Sequence, residues 1–153
     1  MFVRALCLLP LRPGAVAALN TGDFDKRTRE LTVGTDKVGE RRRIRLPADA
    51  ADLFTAAGKG KLPTAPLFAR ANGKRWDKET WNEPIRVAVT TAGLPFATTA
   101  YTLRHSTITD LVVAGAPLLT IAQISGTSVD MIEKHYGHLV QERAAEALAG
   151  LAL

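Results

Sequence analysis

Over most of the chain apolar residues recur at the helical spacing of three and four, and one short region alternates with the strand period of two. The opening stretch, Met1 to Leu11, clusters Leu6, Leu8, Leu9 and Leu11 and reads as a buried, mainly helical piece bent or ended by Pro10. A short helical turn is expected at Ala15 to Asn20, since Pro13 suits a first-turn position, and turn residues then run to Asp25. RELTV (Arg29 to Val33) and RRRIRL (Arg41 to Leu46) alternate, with Gly34, Asp36, Lys37 and Gly39 between them. This predicts a β-hairpin with Lys37 near its tip.

Pro47 closes the hairpin, and an Ala-rich helix is predicted over Ala48 to Ala57, stopped by Gly58. GKGKLPTAP (Gly58 to Pro66) reads as an exposed crossing loop. Leu67-Phe68 begins a short extended piece that turns at Asn72-Gly73. Asp77 is placed to cap a helix running to about Ala92, with Trp81, Ile85 and Val89 recurring along it; Trp76 and Trp81 are read as core and rim, not as base-stacking platforms. The next helix, Thr102 to Ala114, carries Leu103, Thr107, Leu111 and Ala114 on one side. Leu118 to Ser125 follows Pro117 and ends at Gly126, Val129 to Tyr136 starts behind Ser128, and Gln141 to Leu153 is a separate small helix. The fold class is α+β: mostly helical with one small antiparallel β-sheet, in one domain, 1–153.

The 153 residues suit one core of ordinary globular composition, 46% apolar and 23% charged. A single cysteine, Cys7, excludes an intrachain disulfide, and no zinc-type ligand spacing is present. The apolar start is broken by Pro10, Arg12 and Pro13, and no run reaches the roughly 18 to 20 residues of a membrane span. A cytoplasmic, nucleoid-associated protein is expected. Charge changes the picture more, because residues 1 to 47 hold ten Lys/Arg against five Asp/Glu while the rest hold ten against ten. The excess includes Arg41, Arg42, Arg43 and Arg45 and fits a polyanion partner.

Covalent cleavage of a phosphodiester needs a nucleophile, cations on the non-bridging oxygens and an acid for the leaving alkoxide. Tyrosine serves as a nucleophile because phenoxide is a fair leaving group in turn. Arginine grips phosphate through its planar fork and keeps its charge, whereas lysine is able to give up a proton. Spacing alone makes Tyr136 a packing residue with a wet hydroxyl more often than a nucleophile. It equally makes Arg104 a surface ion-pair partner of Asp110 or Glu133, and the arginines of 41 to 45 a protected strand edge.

Three blocks together are more specific. LPLRPGAVAAL, DKVGERRRIRLP and YTLRHSTITDLVVAGAPLLTIAQISGTSVDMIEKHYGHL resemble, in order and spacing, the successive signatures of the tyrosine-recombinase (phage-integrase) catalytic domain. That resemblance implies DNA strand cleavage and rejoining through a 3′-phosphotyrosine, without metal or nucleotide cofactor. It implies that Arg12 and Arg104 hold the scissile phosphate, that Lys37 protonates the leaving 5′-oxygen and that Tyr136 attacks. Where the family usually has histidines this chain has Tyr101 and Thr127, and where an acidic residue often follows the first arginine it has Ala15. An ordinary phenol has a pKa of about 10, so Tyr101 is a poor proton acceptor, although it and Thr127 are able to hydrogen-bond a phosphate.

His105, about 100° round the helix from Arg104, is grouped with Arg41, Arg42, Arg43 and Arg45 as DNA-binding rather than given the base role. The resemblance also implies double-stranded DNA as partner and a homo-oligomer on it, a tetrameric synapse, with the C-terminal helix, Gln141 to Leu153, either packing on a neighbouring protomer or folding back in cis. The family's DNA-clamping domain is expected to lie outside this chain. Two rivals stand beside the strand-transferase reading: a DNA-binding relative without chemistry, suggested by Tyr101, Thr127 and Ala15, and a small helical regulator whose tyrosine is incidental.

Overall fold

The computed structural model describes residues 1–34 and 41–151, with nothing stated for the side chains of 141–147. Lys37 and the hairpin tip therefore lie outside the described residues. Helices α1 (Phe2–Leu8) and α2 (Pro13–Ala18) lead through a 3₁₀ turn, Thr21–Asp23, into β1 (Phe24–Asp25), β2 (Glu30–Val33) and β3 (Arg42–Arg45). Next come α3 (Ala48–Gly58), α4 (Asn82–Thr91), α5 (Ala100–Val113), α6 (Leu118–Ser125) and α7 (Val129–Ala149). The sheet is antiparallel in the order β1-β2-β3, with Leu31 opposite both Phe24 and Ile44 and Glu30 opposite Arg45. The α+β class and the hairpin are as the periodicity predicts.

Four boundaries differ from the expectations, each for a physical reason. Residues read as turn, Phe24-Asp25, pair with β2 as a third strand, a segment too short to show a period. Asp77 organises a turn instead of capping a helix: its Oδ1 accepts the N–H of Glu79 and of Thr80, so α4 starts five residues later. The two C-terminal helices are one, α7, because Gly137 is not among the glycines of positive φ and no proline breaks the segment. Along α5 the fully buried positions are Ala100, Arg104, Ile108 and Val112, one residue on from the expected stripe. Leu103, Thr107 and Leu111 are half-buried beside them, since α5 is packed against α1 and α2 on one side and α6 and α7 on the other.

Two apolar clusters result. The larger joins α1 to α4 and the sheet around Phe2, Leu6, Leu11, Leu31, Phe54 and Phe68, and runs to Ala100 at the head of α5. Trp76 and Trp81 both stack on Phe2, at 5.3 Å and 5.9 Å between ring centroids. The smaller consists of Ile108, Val112, Ile121, Ala122, Ile132 and Tyr136, from α5, α6 and α7. Arg104 belongs to neither cluster and lies along α5 where the two meet.

Candidate active site

The site is built on the ends of helices. Thr99 caps α5, accepting the N–H of Thr102 in a capping box, which fixes the first turn carrying Tyr101, Arg104 and His105. Gly126 ends α6 with φ of 70°, and the N–H groups of Gly126 and Thr127 both donate to the Ala122 carbonyl. Ser128 then caps α7, its Oγ accepting the Met131 N–H. Tyr136 follows two turns along α7.

Arg104 is 9% exposed. Its Nη1 donates to the carbonyls of Pro10, between α1 and α2, and of Ser125, at the end of α6, the latter at 2.9 Å. The guanidinium thus ties three separate segments together, and its surface ion-pair reading falls: the one ion pair among the described residues is Arg86 with Glu83. Burial, together with the charges of Arg12 and Arg42, lowers the Arg104 pKa to about 10, while Tyr136 and Tyr101 act in the opposite sense. The guanidinium is thus held near two other cations, with no carboxylate among the groups that shift it.

The expected arginines divide among places. Arg12 is exposed at the head of α2. In β3, Arg43 and Arg45 point to solvent, whereas Arg42 shares the inward face with Ile44 and reaches α6, its Nη1 donating to the Gln123 carbonyl at 3.4 Å. Arg12, Arg41, Arg42 and Arg43 line one groove with Gly126, Thr127 and Ser128, a cavity of about 880 Å³. Arg45 does not line it. Thr127, half-buried, is on this wall, and Tyr101 stands 52% exposed one turn before Arg104.

Tyr136 is 7% exposed and packs in the smaller cluster. Burial raises its phenol pKa and Arg104 partly offsets the rise. Its hydroxyl lies 2.6 Å from Nδ1 of His105, and the His135 ring stands edge-on to it at 6.4 Å. The pairing of His105 with Tyr136 spans 31 residues and had no signal in the sequence beyond the histidine's place beside Arg104. His105, grouped in the sequence with the DNA-binding arginines, is exposed and has its Nδ1 against the tyrosine hydroxyl.

A mostly helical domain with a small three-stranded antiparallel sheet defines the class. The model of the phage integrase family matches residues 2–143, and the chain belongs to that family. No curated protein matches it in sequence. Solved structures share the fold: XerA recombinase at 19% identity and a TM-score of 0.75, covering 95% of this chain and 61% of that one. The Tn1549 transposon integrase in complex with transposon right-end DNA aligns at 21% and 0.79, covering 99% and 58%. The catalytic domain of bacteriophage HP1 integrase aligns at 20% and 0.66, covering 95% and 79%. The chain thus spans about three-fifths of the first two. Among the described residues no helix is long and apolar enough to cross a membrane.

Proposed function

We propose that this domain cleaves and rejoins double-stranded DNA through a 3′-phosphotyrosine at Tyr136. The observation that carries the reading is that the buried Tyr136 hydroxyl lies 2.6 Å from Nδ1 of His105, next in the chain to the buried Arg104, whose guanidinium is tied to Ser125 beside the groove that Arg12, Arg41, Arg42 and Arg43 line. A scissile phosphate entering the groove supplies the anion that this cluster favours. Arg104 and Arg12 hold its non-bridging oxygens, with the hydroxyls of Tyr101 and Thr127 as further donors. The Tyr136 oxygen forms a bond to phosphorus as the bond to the 5′-oxygen breaks, and Lys37 is assigned to give that oxygen its proton. No nucleotide cofactor is needed, because the phosphotyrosyl bond keeps the energy for rejoining, and the arginines supply the positive charge that a metal would otherwise bring.

Arg41, Arg42, Arg43 and Arg45 contact backbone phosphates, so binding by this domain is weak and falls steeply with salt. Relatives bear on the partner: the Tn1549 integrase and XerH recombinase structures are complexes with DNA. We extend that partner to this chain, and with it a homo-oligomer on DNA in which α7 contributes to the contact. Localisation with the nucleoid follows from the same reading.

The second reading, a binding-only relative, rests on Tyr101 and Thr127 at positions where the family usually has histidines. A nicked suicide duplex, built from sequence flanking the gene and scored on a denaturing gel, separates the two. A covalent band in the wild type that disappears in Tyr136→Phe supports strand transfer. A duplex that is bound without any band supports the binding-only relative.

A further inference from the structure

We propose that His105 is the proton acceptor for Tyr136, an inference that rests on the strand-transfer reading. The hydroxyl and Nδ1 are 2.6 Å apart, a short and direct contact between α5 and α7. Histidine is the side chain suited to change charge near neutral pH. Its neutral form with hydrogen on Nε2 presents a lone pair at Nδ1, the nitrogen aimed at the phenol. Tyr136 needs such an acceptor, since burial holds its proton on. Tyr101, the residue at the family's usual base position, has a phenol of its own and stands 52% exposed.

In cleavage the phenolic proton passes to Nδ1 as the tyrosyl oxygen bonds to phosphorus, leaving a His105 imidazolium, and the 5′-oxygen departs with a proton from a separate donor. In rejoining, the 5′-hydroxyl attacks the phosphotyrosine, its proton returns to that donor, and the leaving phenolate recovers its own from Nδ1. Arg104, one residue along, stabilises the developing phenolate and so favours release of the phenolic proton. The other groups that face this pair are His135 from α7, whose ring lies 6.4 Å from that of Tyr136, and beyond Arg104 the charges of Arg12 and Arg42.

His105→Asn is the informative variant. Its amide keeps a hydrogen-bonding atom near the Nδ1 position and takes up no proton, and His105 is exposed enough for the fold to tolerate the change, checked by its melting curve. Covalent complex formation is measured for wild type, His105→Asn and Lys37→Ala, on a normal suicide duplex and on one with a 5′-bridging phosphorothiolate, whose thiolate departs without a proton. The expected result is that His105→Asn slows cleavage about 100-fold or more on both duplexes and loses the acid limb of the pH profile, while the thiolate rescues Lys37→Ala alone. Cleavage by His105→Asn within a few-fold of wild type overturns the proposal, as does its rescue by the thiolate. Nitrogen NMR of the imidazole gives a readout independent of turnover: hydrogen on Nδ1 in the neutral form also overturns it. A wild type that makes no covalent complex defeats the strand-transfer reading itself, and the two failures are thereby told apart.

Discussion

The two apolar clusters differ in what they are made of and in what they hold. The larger is closed by aromatic rings, with Phe54 in edge contact with Phe24 at 5.5 Å and with Phe68 at 5.0 Å, and Phe2 stacked between two tryptophans. The smaller is aliphatic apart from Tyr136, whose polar end meets His105. One cluster is a scaffold and the other is a mounting for reactive groups. On the proposed reading the chemistry falls at the smaller cluster, where a nucleophile is desolvated and still reaches its substrate.

Breaking each cluster in turn tests that difference. Phe54→Ala removes a fully buried ring and is expected to cost about 3–5 kcal/mol, lowering hydrogen-exchange protection throughout. Ile121→Ala is expected to cost about 2–5 kcal/mol, but with protection lost chiefly in α6 and α7 while α3 stays protected. Equal loss in α3 would show that the clusters unfold as one.

Arg104→Lys comes next. Lysine keeps a charge but cannot bridge the Pro10 and Ser125 carbonyls and also fork onto a phosphate, so covalent complex formation should fall about 100- to 1,000-fold. Arg12→Lys, at an exposed position, should lose much less, and single-turnover rates on one duplex compare the two.

Gly126→Ala sharpens the boundary between the groove and the smaller cluster. Its φ of 70° disfavours a side chain by about 1–2 kcal/mol, and the new Cβ would run into the Arg42 guanidinium. Urea unfolding should show the loss, and DNA binding at fixed salt should weaken with it.

The smallest effect is a pH dependence. Burial holds the Tyr136 phenol above its ordinary 10.0, so the folded state keeps this proton more tightly than the unfolded state does. The associated stability is fully present below that pH and is lost as pH rises through the higher folded value. Wild type should therefore lose more stability than Tyr136→Phe between about pH 8 and pH 11, read from urea midpoints. Arg104, whose pKa is lowered, works in the opposite direction in both proteins.

Much of this architecture was written locally. The alternation of Glu30 to Val33 and Arg42 to Arg45 determines the hairpin, Pro13 and Gly126 mark helix ends, and the order of the arginine and tyrosine blocks carries the family resemblance. These features act over a few residues through dihedral limits, caps and side-chain period, which is why they are legible in a sequence. Tertiary structure decided the rest: that α7 runs unbroken, that Arg42 turns inward while Arg43 and Arg45 do not, that Arg104 is buried against the Pro10 and Ser125 carbonyls, and that His105 meets Tyr136. Each depends on how α5 is wedged between two cores. A change of one residue in a helix face, about 100°, separates a surface arginine from a buried one, and period alone does not resolve that angle.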